Sequence, residues 1–153
     1  MVSATVSPPW TYTLQLPRDP RAPGVARSAL RTTLRVHGMS ELTEIAELLA
    51  SELVTNAYVH SSGECSLRLR DAGRNRVRLS VWDTNPHVPA PFRWSAESPE
   101  ELAERGRGLY LVTVYAESWG AYPMTTGLPG QGGKLLWVEC AAKTDDAPSC
   151  GVQ

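Results

Sequence analysis

One stretch limits what this chain can become. Between Ser40 and His60, apolar residues recur at Leu42, Ile45, Ala46, Leu49, Leu53 and Ala57. Steps of three and four residues put all six on one side of an α-helix, so the segment predicts an amphipathic helix with one buried stripe. Ser40-Glu41-Leu42-Thr43-Glu44 reads as a cap-like start. Within this helix Glu52 and Asn56 stand four apart and His60 one turn further, so the three project from the same side. They lie at the rim of the apolar stripe, where a carboxylate and an amide can look into a cleft. Solvated charges usually occupy the opposite side. An acidic residue and an amide at this interval are common on surface helices, so a functional reading needs support from elsewhere in the chain.

Residues 1–9 are small, polar and proline-containing, a flexible N-terminus. Residues 10–16 alternate and are rich in β-formers, a first strand stopped by Pro17. Pro20 to Pro23 open a helical segment carrying Val25, Ala29, Leu30, Leu34 and Val36, closed near Gly38. Residues 66–70 and 77–81 predict a hairpin across Gly73-Arg74-Asn75, with Leu67, Leu69, Val77, Leu79 and Val81 on one face. Arg68, Arg70, Arg76 and Arg78 then face away. Without interleaved aromatics they read as the polar face of a half-buried sheet rather than as a nucleic-acid platform. Residues 86–99 are proline-rich and irregular, and so long a connection in a small domain is often functional. Ser98-Pro99-Glu100-Glu101 predicts a short helix through Ala103, which Gly106-Arg107-Gly108 breaks. Leu109, Leu111, Val112 and Tyr115 predict a further helix ending at Trp119-Gly120. Strands over residues 121–125 and 135–140, joined by a Gly/Pro turn, close a domain over residues 10–142, and residues 143–153 read as a disordered tail. Together these elements predict an α+β fold, a two-layer sandwich with a mostly antiparallel sheet covered on one face by helices.

Three pieces in a fixed order carry a resemblance: Glu52-Leu53-Val54-Thr55-Asn56-Ala57, Val81-Trp82-Asp83-Thr84-Asn85-Pro86 and Gly106-Arg107-Gly108-Leu109. Together they resemble the nucleotide site of the GHKL superfamily (gyrase, Hsp90, histidine-kinase and MutL ATPases). Within it they resemble the anti-sigma-factor serine kinase branch, the RsbW/SpoIIAB-like domains, over roughly residues 12–141. The resemblance implies the Bergerat ATP-binding fold, the architecture that the hydrophobic pattern also predicts, with ATP and Mg²⁺ as cofactors.

By that resemblance Asn56 is the Mg²⁺ ligand, through its side-chain oxygen, and Glu52 the general base that orients the attacking hydroxyl or water. Asp83 accepts a hydrogen bond from the exocyclic amine of adenine. Gly106, Arg107, Gly108 and Leu109 form the phosphate-facing hinge of a lid, and His60 matches the pattern in a structural hydrogen bond. The chemistry is consistent with these residue types. Mg²⁺ takes oxygen ligands and shares them with phosphates. A carboxylate one helical turn from a metal ligand is in the neighbourhood of a γ-phosphoryl group, and the N–H groups of a helix start suit phosphate oxygens. Without the resemblance, Asp83 is a strand-end turn residue and the Gly-x-Gly a link between two helices.

Two positions depart from the family pattern. Asn85 stands where many relatives carry Gly, two residues after the Asp. Asn tolerates left-handed backbone better than other non-glycine residues, so the turn can survive, with a side chain that could crowd the adenine. Gly132-Gly133-Lys134 stands where several branches carry Gly-Thr before the last strand. Lys134 could supply a charge near the phosphates or cap the strand start.

The function expected is an ATP-binding regulator, an anti-sigma-type serine/threonine kinase. It would move the γ-phosphoryl group to a small anti-anti-sigma partner and in its other state hold a sigma factor. The alternative is a non-catalytic module that docks a protein partner with or without nucleotide. A detached histidine-kinase catalytic domain lacks the helical dimerisation segment with its phospho-accepting His, and 153 residues leave no room for the transducing domains of gyrase or Hsp90. A net charge of −1 gives no electrostatic case for nucleic acid or an anionic membrane as direct partner. There is no run of 18 apolar residues and no basic-then-apolar leader. Cys65, Cys140 and Cys150 are widely spaced without a metal-ligand rhythm, which fits a cytoplasmic protein with free thiols. Relatives of this kind often form homodimers.

Overall fold

Alternation of apolar and polar residues builds the sheet. The computed structural model describes residues 8–92, 107–125 and 132–142. In it β1 (Thr11–Leu16), β2 (Cys65–Gly73), β3 (Arg76–Asp83), β4 (Ser118–Thr125) and β5 (Gly132–Ala141) form one antiparallel sheet in the order β1-β2-β3-β5-β4. Leu67 and Leu69 lie opposite Val81 and Leu79, which in turn lie opposite Leu136 and Val138. All six are buried, because a period of two sends them to the same face. The β2–β3 turn runs through three left-handed residues, Gly73, Arg74 and Asn75 (φ 77°, 54° and 60°), beside a register shift between Asp71 and Gly73.

Helix α2 (Thr43–His60) packs on β2, β3 and β5, and α1 (Ala22–Val36) and α3 (Arg107–Tyr115) pack against α2. Its residues Ala46, Leu49, Ala50, Leu53 and Val54 have no exposed surface. Fully burying a leucine stabilises by roughly 1.5–3 kcal/mol, so this stripe fixes which way the helix faces. The α+β sandwich, with a five-stranded antiparallel sheet and helices against it, is the architecture the pattern predicts.

Several local expectations are corrected. The buried face of α1 is Ala22, Ala26, Leu30 and Leu34, while Val25 and Val36 are exposed. The residues before α2 do not cap it with a side chain. A 3₁₀ turn at Ser40–Leu42 runs straight into the helix, leaving Leu42 at the N-cap in helical backbone. The helix predicted to end at Trp119-Gly120 stops at Tyr115. The Glu117 amide already bonds the Glu139 carbonyl (2.9 Å), so Trp119 and Gly120 belong to β4. Gly120 lies opposite Trp137, whose indole fills the place a side chain would take, 2.5–2.7 Å from an added Cβ. Arg78 stacks on the Trp137 ring at 4.1 Å and pairs with Glu139 at 2.9 Å, so the outer face does set an aromatic beside an arginine, from a strand remote in sequence. The short helix expected near residues 99–103 and the tail lie outside the described residues.

Two measurements check this packing. An alanine Cβ at Gly133 would overlap the Asp83 carbonyl oxygen and crowd the Trp82 indole. Backbone cannot step aside, so Gly133→Ala should cost about 1–3 kcal/mol and lower the thermal midpoint by several degrees. An unchanged midpoint would contradict the close approach of β3 and β5. Burial pushes the Cys65 thiol up to about 11 and the Cys140 thiol up to about 12, helped by Asp83 and Glu139 respectively. Both should stay protonated and unreactive to a thiolate-selective reagent at pH 8 until the protein is denatured. Because the unfolded thiols ionise near 9, stability should fall as pH rises from 9 towards 11–12, as urea unfolding at each pH would show.

Candidate functional site

Helix α2 carries polar groups one turn apart along the rim of its buried stripe. Glu52 is half-buried, Asn56 is 8 % exposed, and His60 is the last helical residue. Each meets, or ends beside, a different part of the chain.

Glu52 meets α3. That helix begins at Arg107, so Gly108 lies in its first turn, and the Glu52 carboxylate lies directly over Gly108, where a Cβ would overlap Oε2. A carboxylate at this point sits at the positive end of the α3 dipole. Leu109 turns inward and is a core residue, 8 % exposed. Arg107 is placed only by its backbone, and Gly106 lies outside the described residues.

Asn56 stands between. Among the described residues, three buried side-chain atoms lack a hydrogen-bond partner: Asn56 Oδ1, Arg76 Nε and Asp83 Oδ2. Arg76 Nε is in an ion pair with Glu117 at 2.7 Å and Asp83 Oδ2 in one with Lys134 at 2.9 Å, which leaves Asn56 Oδ1 alone with neither. An orphaned buried acceptor costs about 1–3 kcal/mol, which a cation or donor supplied from outside would relieve. Among the described residues there is no cluster of three or more His, Cys, Asp or Glu that could hold a metal by itself. A metal at this place would rest on Asn56 and on oxygens of a ligand, the habit of Mg²⁺ rather than of Zn²⁺.

The end of α2 is tied to the loop that leaves β3. Asn85 Nδ2 donates to the His60 carbonyl (2.7 Å), Ser61 and Thr84 share a hydroxyl hydrogen bond (2.9 Å), and Arg18 Nε donates to the Ser61 carbonyl (3.0 Å). The loop is two side-chain-closed turns in series: the Asn85 amide donates to Asp83 Oδ1 (2.8 Å) and the His87 amide to Asn85 Oδ1 (3.0 Å). Asn85 is not left-handed; among the described non-glycine residues only Arg74 and Asn75 have positive φ. The expected tolerance for left-handed backbone is therefore unused, and both ends of the Asn85 amide are committed.

Asp83 and Lys134 are partners in register across β3 and β5, and both belong to the helix-covered face. The row Val77, Leu79, Val81 ends in Asp83, and the row Cys140, Val138, Leu136 ends in Lys134. Each charged residue is 1 % exposed. Lys134 Nζ lies 2.9 Å from both Asp83 oxygens and donates to the Asn85 carbonyl at 3.1 Å. Lys134, the third residue of β5, is held at the loop after β3. The alternation of both strands, continued one step past their apolar residues, is the signal that predicts this burial. Arg18 and Thr84 had no such signal, since they act through contacts remote in sequence.

A separate groove of about 620 Å³, lined by Glu41, Glu44, Ile45, Leu48, Tyr115, Ala141 and Ala142, opens at the other end of α2. Glu44 and Asn56 are about 18 Å apart along the helix axis, so this groove is not the place where the polar groups converge.

Compared with known families, the chain matches the one described as the histidine kinase-like ATPase domain, over residues 16–127 and hence over well more than half its length. The matched span contains Glu52, Asn56, Asp83, Asn85 and Gly108, and stops short of Lys134. None of the curated proteins compared with the chain matches it. Among the described helices none is long and apolar enough to cross a membrane.

The contact between Glu52 and Gly108 predicts a contrast with Gly133. Alanine at Gly108 need only displace the far end of a flexible side chain, and it gains about 1 kcal/mol of helix propensity. Gly108→Ala should therefore change stability by less than about 1 kcal/mol. A loss as large as that of Gly133→Ala in parallel urea titrations would mean that the first turn of α3 is wedged by something stiffer than Glu52.

Proposed function

The chain belongs to the histidine kinase-like ATPase domain family, whose members are GHKL-type ATP-binding proteins, and on that premise we propose that it is an ATP·Mg²⁺-dependent protein kinase of the anti-sigma type. The observation that carries the reading is the line of groups on α2, in which an unsatisfied buried amide oxygen lies one turn from a carboxylate set against a helix start. Asn56 would hold Mg²⁺, which supplies charge neutralisation on the phosphates when bound. Glu52 would take the proton of an attacking hydroxyl, and its place beside Gly108 sets that base next to the N–H groups suited to phosphate oxygens. Asp83 would read the exocyclic amine of adenine. Gly106, Arg107 and Gly108 would face the phosphates. The acceptor would be a Ser or Thr on a small anti-anti-sigma partner, and a sigma factor the alternative partner; both rest on the resemblance of the three motifs.

A second reading is favoured by a specific observation. The Glu52 carboxylate occupies the first turn of α3, and Asp83 and Lys134 neutralise each other in a buried pair. A pocket closed in this way suits a module that docks a protein without turning over nucleotide.

Calorimetric titration with ATP, with and without Mg²⁺, separates the two. The kinase reading expects Mg²⁺-dependent binding that weakens at least about 10-fold, or 1.4 kcal/mol, in both Asn56→Ala and Asp83→Ala. Glu52→Gln should leave ATP affinity intact and lower phosphoryl transfer by about 10²- to 10⁴-fold. No ATP binding by the folded wild type would discard the kinase in favour of the docking module, and undiminished transfer by Glu52→Gln would remove Glu52 as the base.

A further inference from the structure

Lys134 is a buried ammonium that meets Asp83 at the end of two otherwise apolar rows of the helix-covered layer. Its neighbours in that layer on the same two strands are Val81 and Leu136. Burying two charges is costly, and a buried ion pair can often be replaced by apolar side chains without loss of stability. Packing alone therefore does not account for charges in this position. What the ammonium does is visible in its contacts. Asp83 Oδ1 already accepts the Asn85 amide (2.8 Å) and a hydrogen bond from Lys134 (2.9 Å), while Oδ2 touches the ammonium but accepts no hydrogen bond. The third contact, to the Asn85 carbonyl (3.1 Å), anchors the ammonium to the same loop. The close approach of β5 that makes this possible depends on Gly133, where a Cβ would strike the Asp83 carbonyl.

We infer that Lys134 is a positioning residue for nucleobase recognition. It holds the Asp83 carboxylate turned so that Oδ2 is its one acceptor left for the exocyclic amine of a purine. This deepens the proposed ATP site and rests on it. The base-reading carboxylate works only as an acceptor. Deprived of its ammonium, the carboxylate loses the contact that holds it turned and no longer presents Oδ2 to the amine. Lys134 thus selects the base through Asp83 without touching phosphate. Among the described residues the Cys65 thiol on β2 is a further titratable group close enough to feel Asp83, and burial keeps it protonated.

The test compares ATP with inosine triphosphate, which carries oxygen in place of the 6-amino group, for wild type and Lys134→Met by calorimetry at fixed pH with Mg²⁺. Wild type should prefer ATP by about 10- to 100-fold, the worth of one hydrogen bond to a charged group. Lys134→Met should lose that preference, whereas a merely structural lysine would weaken both ligands alike and leave the ratio intact. A folded Lys134→Met with the wild-type ratio overturns the inference. In the wild-type protein, which needs no substitution to fold, the ¹⁵N resonance of the Lys134 ammonium should shift with ATP and not with tripolyphosphate. The same shift with both, or none with ATP, overturns the inference as well. Failure of wild type to bind either nucleotide sinks the ATP-site reading itself, whereas ATP binding with an unaltered ratio in Lys134→Met sinks only the role of Lys134.

Discussion

Helix α2 has to lie along the central strands because Leu49, Leu53, Val54 and Ala57 have no other way out of water. That burial fixes the rotation of the helix about its own axis, and so aims every other side chain on it. Glu52 and Asn56 sit at the edge of the stripe; the rotation that hides the leucines sets Glu52 against the start of α3 and leaves Asn56 buried. The end of the helix is tied at the His60 carbonyl to Asn85, at the Ser61 hydroxyl to Thr84 and at the Ser61 carbonyl to Arg18. A line of chemistry one turn apart is thus a by-product of how the core closes.

Two glycines let the surrounding elements come close enough to matter. Gly108 brings the start of α3 under the Glu52 carboxylate, and Gly133 brings β5 onto the end of β3. They differ in what opposes a side chain. Gly108 faces the far end of a flexible residue, a contact that orients a functional group. Gly133 faces backbone, a contact that holds the sheet together beside the buried Asp83–Lys134 pair. The charged ends of two apolar rows meet there, in register across β3 and β5.

The large features were legible because they rest on periodicity. The stripe of α2, the hairpin of β2 and β3 and the α+β architecture follow from steps of three and four or of two. The placement of Glu52 and Asn56 one turn apart on α2 was legible for the same reason, being local to one helix. What was missed depends on partners remote in sequence. Gly120 looks like a helix stop, yet it is a strand residue because Trp137 covers it. Val25 and Val36 look like core, yet the buried face of α1 is Ala22, Ala26, Leu30 and Leu34. Asn85 looks like a left-handed turn residue, yet its amide is spent on His60 and His87. The burial of Lys134 was half legible: strand alternation places it inward, and only the β3–β5 register shows that Asp83 meets it.

The central claim is that nucleotide and metal meet α2 at Asn56. Replacing Mg²⁺ with paramagnetic Mn²⁺ in a complex with ATP and recording ¹H–¹⁵N spectra tests it directly. The account predicts broadening strongest at the Asn56 side-chain amide and the Gly108 backbone amide, weaker at Asn85, and absent at Glu44 about 18 Å along the helix. Broadening centred on Glu41, Glu44 and Tyr115, or spread evenly over the chain, would contradict it.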